Sequence, residues 1–321
     1  MRYLHALVCL LPMLAQQRPL LPPIATPADV EFRKAVIRSE GVRMSAEVYS
    51  PKSASGKLPC ILMAHGWGGV AQALRREAIP LAQAGYFVTA FDYRGWGGSD
   101  SRVILTQPAP SSKEGGKFTA EVQEVREVVD PIDFAIDWLN ALDWLAGEPQ
   151  CDASRIGIWG SSLSGGLVVW VAGHDARVRA VHSQVGAMGG QFITQDEAQK
   201  KLTWDEATKR ARGEIGYPAP GAVTVGALRG APIRRKFAIY DPLQTLPNAA
   251  ACAMQFVIAE KEELFDNRDH AIRAQSLHRG PKRLIRIDGI THYGIYYDAG
   301  ARKRSLDLAI EWFDKYVKAS H

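Results

Sequence analysis

Cysteine is scarce in this sequence and is not arranged for metal binding. The 321 residues include four cysteines, Cys9, Cys60, Cys151 and Cys252. They form no CxxC pair and no cluster with histidine at zinc-ligand spacing, so neither a zinc site nor a disulfide framework is predicted. Cys60 lies in the apolar run 58–64, and we expect it to be a small residue of the core.

A strong excess of one charge is also missing. The sequence has 39 Lys and Arg against 34 Asp and Glu, a net charge of +5, and its basic residues occur in short scattered clusters. Such clusters are typical of solvated helix faces, so no nucleic-acid partner is predicted. Hydrophobic residues make up 46% and charged residues 23%, which is ordinary for a globular protein and argues against extensive disorder.

No apolar run is long enough for a permanent membrane span. At the N-terminus, Arg2 precedes an apolar run over 4–14, and the small residue Ala15 follows. This outline predicts a signal peptide over 1–15, with the mature chain starting near Gln16. We therefore expect a periplasmic or secreted protein without a stable membrane anchor; if the segment is not a signal, the protein is expected to be cytoplasmic.

The rest of the chain alternates between strand-like and helix-like patterns. Residues 16–29 are rich in proline, which predicts an extended linker before a domain over 30–318. The runs 30–37 and 42–49 flank a polar turn and predict an antiparallel hairpin. Six short apolar runs follow: Leu58–Ala64, Tyr86–Phe91, Arg155–Trp159, Val178–Gln184, Gln255–Ala259 and Arg283–Ile287. Because helical patterns separate these runs, we predict an α/β fold with a mostly parallel sheet and helices on both faces.

One long segment, about 186–250, interrupts this alternation and is too long for a plain crossover. We interpret it as a small cap over the active-site end. Within it, Thr203-Trp204-Asp205-Glu206 fits a capping box that opens a helix through Arg212.

The most specific chemical signal is the segment 157–166, which follows a predicted strand and precedes an apolar helical run. This is the setting of a nucleophile elbow, a sharp turn whose central serine needs small residues two positions before and after it. Gly160 and Ser164 flank Ser162 at this spacing. Ser161 would instead have bulky neighbours at both positions, so Ser162 is the predicted nucleophile.

A serine hydroxyl needs a base, and the chain has eight histidines. Only His65 and His292 lie in loops directly after predicted strands. His292 follows the last strand, where the chain order Ser, acid, His places a base. We therefore predict His292 as the general base.

The acid that orients this base is expected after the penultimate strand, where several carboxylates compete. Glu262 lies in the turn just past the strand and is our first candidate. Asp266 is the second and Glu263 the third, and any of them can instead be a solvated surface charge.

A glycine-rich loop at 65–69 follows the first parallel strand. An oxyanion hole needs backbone N–H groups, and we predict that Trp67 supplies one and Leu163 the other. His65 is then expected to be a structural residue of the loop.

Together these motifs resemble the α/β-hydrolase superfamily. They are HGWGG at 65–69, FDYRGWGGSD at 91–100, GSSLSGG at 160–166 and GITHYG at 289–294. Over roughly 30–318 the chain is similar to dienelactone-hydrolase-like and prolyl-oligopeptidase-like esterases, which implies an α/β-hydrolase fold. Dienelactone hydrolases have a cysteine nucleophile where this chain has Ser162, which argues against a dienelactone substrate. Many relatives have an aspartate where this chain has Glu262.

The predicted activity is hydrolysis of a small-molecule ester through an acyl-enzyme, with Ser162, His292 and Glu262 as a triad. This chemistry requires no metal or organic cofactor. Peptidase, amidase, lactonase and thioesterase activities use the same triad and stay open, as does a non-catalytic binding protein of the same fold. Aromatic residues of the insertion, such as Trp204 and Phe237, either line an apolar substrate site or only pack the cap.

Overall fold

A computed structural model describes residues 24–189, 194–225 and 228–319 of the chain. The predicted signal peptide, 1–15, and residues 16–23 of the predicted linker lie outside these ranges. Within the described residues, no helix combines the length and apolar content needed to cross a bilayer.

An eight-stranded sheet forms the centre of the molecule. Its strands are β1 (Val30–Ser39), β2 (Val42–Pro51), β3 (Leu58–Ala64), β4 (Phe87–Phe91), β5 (Cys151–Ser161), β6 (Val178–Gln184), β7 (Ala253–Lys261) and β8 (Lys282–Thr291). Their order in the sheet is β1-β2-β4-β3-β5-β6-β7-β8. β2 pairs antiparallel with β1 and β4, and the remaining neighbours are parallel. The predicted mostly parallel sheet with an N-terminal antiparallel hairpin is therefore confirmed.

Helices cover both faces of this sheet. They are α1 (Arg75–Gln83), α2 (Pro131–Ala146), α3 (Leu163–Ala172), α4 (Glu197–Ala211), α5 (Arg234–Phe237), α6 (Ala271–Leu277), α7 (Gly294–Tyr297) and α8 (Ala299–Phe313), with 3-10 helices at Ala71–Leu74 and Pro242–Ala249 and a π-helical turn at Asp314–Lys318. One hydrophobic core contains buried side chains of α2 and α3. A second core, on the other face, contains those of α1 and α8.

Helix α2 shows how the local sequence fixes an element. The Asp130 carboxylate accepts hydrogen bonds from the N–H groups of Ile132 and Asp133, and Pro131 occupies the first helical position. An acidic N-cap followed by proline satisfies N–H groups that have no partner within the helix. Phe134 and Trp138, four residues apart, then lie buried on the face that packs against the sheet.

The cysteine prediction is wrong in one respect. Cys60 in β3 and Cys151 at the start of β5 are joined by a disulfide, with their Cα atoms 5.7 Å apart. The two residues are 91 positions apart, and only the pairing of β3 with β5 brings them together. Cys252 is a buried free thiol.

The inserted segment begins differently from the capping-box prediction. Helix α4 starts at Glu197, six residues before Thr203, because the Asp196 carboxylate accepts from the Gln199 N–H at 2.8 Å and caps the helix there. The Thr203 hydroxyl donates back to the Gln199 carbonyl within the helix. The segment also contains short strands at Val223–Val225, Leu228–Arg229 and Ala231–Pro232, the last of which pairs with Val128–Val129. A further hairpin, Arg102–Leu105 with Val122–Val125, was not predicted.

Candidate active site

Ser162 stands at a strained turn between β5 and α3. Its φ is +58° and its ψ is −122°, an uncommon conformation for a residue with a side chain. A Cβ atom on Gly160 would lie 2.3 Å from the Ser164 carbonyl oxygen, so only glycine fits there. The small residues around the turn let α3 approach the strand closely and leave the Ser162 hydroxyl at the carboxyl edge of the sheet.

The structure brings Ser162, His292 and Glu262 together in one hydrogen-bonded row. His292 Nε2 lies 3.0 Å from Ser162 Oγ, and His292 Nδ1 lies 2.9 Å from the Glu262 carboxylate. The histidine and glutamate side chains are only 2% and 3% exposed. These residues come from the ends of β5, β8 and β7, which meet at one edge because the strands are parallel.

The other candidate acids have different partners. Glu263 accepts from the backbone N–H groups of His292 and Tyr293, and so holds the loop that carries the histidine. Asp266 is paired with Arg268, whose guanidinium hydrogen bonds lower the pKa of that carboxyl to about 2. Of the three predicted candidates, the structure therefore places Glu262 against the imidazole ring.

The loop at 65–69 packs directly on the turn that carries Ser162. A Cβ atom on Gly66 would lie 2.9 Å from Ser162 Cβ, which explains the glycine. Two residues of the inserted segment fix the Trp67 side chain. The indole Nε1 donates to the Gly230 carbonyl at 3.2 Å, and the ring stacks on Phe237 with centroids 5.5 Å apart. Leu163 is the first residue of α3, so its N–H has no acceptor within the helix.

His65 lies in the same loop, but its ring nitrogens face other groups than Ser162. Its Nδ1 lies 2.9 Å from the Gly66 carbonyl and its Nε2 lies 3.8 Å from Asp92 Oδ1. Burial lowers the pKa of His65, which favours the neutral ring. Asp92 in turn accepts from the N–H groups of Ala71 and Gly98, so this pair organises two loops.

A cavity of about 190 Å³ opens beside Ser162. Aromatic rings of Trp67, Trp159 and Tyr293 line part of its wall, and Leu228 of the inserted segment closes another part. Charged groups are also present: burial raises the pKa of Glu77 to about 7, while the nearby Arg302 and Arg76 oppose the rise. The cavity therefore offers an apolar surface with a small charged patch.

Sequence reasoning missed Tyr296, which lies in α7 four residues after His292. Its hydroxyl lies 2.7 Å from Ser161 Oγ, and it lines the same cavity as Ser162. The only sequence signal is its position four residues after His292. Among the described residues, no group of three His, Cys, Asp or Glu side chains is arranged to hold a metal ion.

Comparison with known proteins places this geometry in context. A family model described as X-Pro dipeptidyl-peptidase (S15 family) matches residues 40–199. An uncharacterized 31.7 kDa protein in the traX-finO intergenic region of Escherichia coli is 23% identical over 305 residues, which cover 87% of this chain and 97% of that protein.

Solved structures share the fold at low sequence identity. The hypothetical protein PA2218 from Pseudomonas aeruginosa superposes with a TM-score of 0.74 at 20% identity, over 92% of this chain and 96% of that one. An acetyl xylan esterase from Paenibacillus sp. R4 gives a TM-score of 0.58 at 18% identity, over 91% of this chain and 86% of that one.

Proposed function

We propose that this chain, which belongs to the α/β-hydrolase superfamily, is a serine hydrolase that cleaves a carboxylic ester. One observation carries this conclusion: Ser162, His292 and Glu262 form a continuous row with separations of 3.0 and 2.9 Å. A nucleophile, a base and an orienting acid in that order constitute the machinery of acyl transfer.

In the first half of the proposed reaction, Ser162 Oγ attacks the ester carbonyl carbon and His292 Nε2 takes its proton. Glu262 holds the imidazole in the required tautomer and stabilises the imidazolium that forms. The oxyanion accepts hydrogen bonds from the backbone N–H groups of Trp67 and Leu163. The alcohol then leaves with the proton from His292, and an acyl-enzyme on Ser162 remains.

In the second half, a water molecule gives a proton to His292 Nε2 and its oxygen attacks the acyl carbon. The bond between that carbon and Ser162 Oγ breaks, and Oγ recovers a proton from His292. The carboxylic acid leaves and the enzyme returns to its starting state.

An ester is favoured over other acyl substrates by the cavity and by one structural relative. The lining of Trp67, Trp159 and Leu228 suits an apolar acyl or alcohol group. The acetyl xylan esterase from Paenibacillus sp. R4 covers most of this chain with the same fold. Amidase, thioesterase and lactonase activities share the triad and are distinguished by a substrate panel.

Peptide cleavage is the second candidate, because the S15 peptidase model matches 40–199, which includes Ser162. Turnover of Ala-Pro-p-nitroanilide faster than of p-nitrophenyl esters would favour it over the ester function.

The proposed serine-hydrolase activity is tested by comparing the rates at which wild type and Ser162→Ala hydrolyse p-nitrophenyl acetate. We expect a loss on the order of 10⁴-fold or more, because the nucleophile is removed. Ser154→Ala removes an exposed serine hydroxyl from the same strand and is expected to match wild type. Equal rates for wild type and Ser162→Ala would contradict the proposal.

We also propose that the segment 186–250 caps the site. Leu228 lines the cavity, and both Gly230 and Phe237 contact the Trp67 side chain. Phe237→Ala is expected to raise KM more than it lowers kcat, because it loosens the support of a cavity wall.

We also propose that the protein is exported to the periplasm or the medium, as its N-terminal sequence predicts. The disulfide between Cys60 and Cys151 supports it, since such bonds persist in oxidising compartments. Thiol labelling of the denatured protein from a periplasmic or medium fraction should modify only Cys252 until a reductant is added. Protein confined to the cytoplasm with Cys60 and Cys151 reduced would contradict export.

A further inference from the structure

A row of polar side chains runs from the edge strand β8 across β7 and β6 to Ser161, the residue before Ser162. In order, it consists of Arg283, Gln255, His182, Ser305, Gln184, Ser161 and Tyr296. Five of these, from Gln255 to Ser161, are at most 5% exposed. Buried polar groups cost free energy unless they are paired, so each proton in this row should have a defined acceptor.

Arg283, the charged residue at one end of the row, determines which partner donates in each hydrogen bond. Arg283 can only donate, and its Nε donates to Gln255 Oε1 at 2.7 Å. The Gln255 amide nitrogen therefore faces His182 Nδ1, at 2.7 Å, and donates to it. Burial lowers the pKa of His182 to about 3, so the ring is neutral and carries its one proton on Nε2.

The hydrogen bonds closer to the active site have the same order of donor and acceptor. His182 Nε2 faces Ser305 Oγ at 3.4 Å, and Ser305 gives its own proton to Gln184 Oε1 at 2.5 Å. The Gln184 amide nitrogen then donates to Ser161 Oγ at 3.0 Å. Up to this point, each hydrogen bond of the row is donated in the direction of Ser161.

Ser161 donates the next hydrogen bond of the row, to the Tyr296 hydroxyl. The two hydroxyl oxygens lie 2.7 Å apart, and no other acceptor for the Ser161 proton is present among the described residues. When Ser161 donates to Tyr296, the phenolic proton is left for another acceptor. The phenol lines the same cavity as Ser162, the next residue in the chain after Ser161, and burial keeps it protonated by raising its pKa.

We propose that Tyr296 donates a hydrogen bond to Ser162 Oγ and thereby accelerates deacylation, an inference that rests on the proposed serine-hydrolase function. In the resting enzyme, Ser162 gives its proton to His292 Nε2 and retains lone pairs for the phenol. In the acyl-enzyme, Oγ is the oxygen that must leave when water attacks. Negative charge grows on Oγ as its bond to the acyl carbon breaks, and the Tyr296 O–H stabilises that charge. The proton that Oγ recovers still comes from His292, and Tyr296 transfers none.

This role makes Tyr296 a catalytic residue for one half of the reaction. Before acylation, the Ser162 hydroxyl is already a good acceptor for this hydrogen bond, so the attack gains little from it, whereas the ester oxygen of the acyl-enzyme is a weak acceptor that becomes a strong one as it leaves. The first half should therefore depend little on Tyr296, and the second half should depend on it strongly.

Pre-steady-state hydrolysis of p-nitrophenyl acetate separates the two halves, because acylation releases the coloured product. For Tyr296→Phe we expect kcat to fall about tenfold, in keeping with the loss of one hydrogen bond. We expect kcat/KM to stay within about twofold of wild type and a burst of one p-nitrophenolate per active site to appear, as for any step that follows acylation. Ser161→Ala should change kcat in the same direction by about threefold, because Tyr296 then loses its fixed orientation.

Tyr316→Phe is the matched control, since it removes a phenol from the C-terminal turn outside the cavity and is expected to match wild type. Unchanged kcat in Tyr296→Phe would overturn the inference, and so would equal losses of kcat and kcat/KM without a burst. If Tyr296→Phe does not fold, Ser161→Ala decides by the same criteria. Failure of wild type to hydrolyse the ester would overturn the proposed function and the inference with it.

Discussion

Two histidines occupy similar settings in this molecule, and only His292 contacts the Ser162 hydroxyl. His65 follows β3 and His292 follows β8, and their side chains are 3% and 2% exposed. Each ring has a carboxylate beside it: Asp92 lies 3.8 Å from His65, and Glu262 lies 2.9 Å from His292. Burial next to an acid is therefore not what distinguishes the candidate base.

The difference lies in what the two ring nitrogens face. His292 uses Nδ1 for the acid and Nε2 for Ser162, so a proton can move along one line. His65 faces the Gly66 carbonyl and Asp92, and the Asp92 oxygens are already engaged by backbone N–H groups. A general base needs one nitrogen held by an acid and the other open to the reacting proton.

Replacing each histidine in turn should give very different losses of activity. His292→Gln is expected to lower kcat for p-nitrophenyl acetate on the order of 10⁴-fold or more, because the base is lost. His65→Gln should lower kcat by about tenfold or less, because His65 only shapes the oxyanion loop. Steady-state kinetics at pH 8 measure both, and comparable losses in the two variants would contradict the assignment.

The acids give the second test. Glu262→Gln keeps the size of the side chain but removes the charge that holds His292, and we expect kcat to fall on the order of 10³-fold. Asp266→Asn, its neighbour in the same loop, should stay within about twofold of wild type, because Asp266 pairs with Arg268 at the surface. A large loss of kcat in Asp266→Asn with a small loss in Glu262→Gln would show that Asp266, and not Glu262, is the acid that orients His292.

Glu77 is a third carboxyl of the site region, and it lines the cavity beside Ser162. Burial raises its pKa more than the positive charges of Arg302 and Arg76 lower it. Its pKa in the folded protein is about 7, above the value of a free glutamate. The folded state therefore holds this proton more tightly than the unfolded state, and ionisation of Glu77 reduces stability as the pH rises to 7.

Glu77→Gln should then raise Tm relative to wild type by a few degrees at pH 8 and have little effect at pH 4.5. Thermal unfolding at the two pH values measures this, with Glu31→Gln, which changes an exposed glutamate of β1, as a charge-matched control. An equal Tm difference at both pH values would show that Glu77 does not titrate in this way.

Local rules explain why much of the site could be predicted from the sequence. The small residues at Gly160 and Ser164 are a steric requirement of the turn, so they identify Ser162 without any other part of the chain. His292 follows from chain order and from the end of a predicted strand. The sheet could be predicted because buried parallel strands are short apolar runs bounded by glycine and polar residues.

Features that depend on distant parts of the chain could not be predicted in this way. The disulfide between Cys60 and Cys151 requires knowledge of which strands are neighbours. Tyr296 becomes relevant only because the fold brings its hydroxyl within 2.7 Å of Ser161 Oγ, 135 positions away in the sequence. The start of α4 was misplaced because Asp196 and Thr203 are both acceptable N-caps, and the structure uses the earlier one.

Covalent labelling with a fluorophosphonate shows directly whether Ser162 is the reactive serine. Wild-type protein treated with a fluorophosphonate should carry one adduct, and tandem mass spectrometry of the peptide containing 160–166 should place it on Ser162. His292→Gln should react far more slowly, because the hydroxyl is no longer activated. An adduct on Ser161 or elsewhere, or equal labelling of Ser162→Ala, would contradict the account.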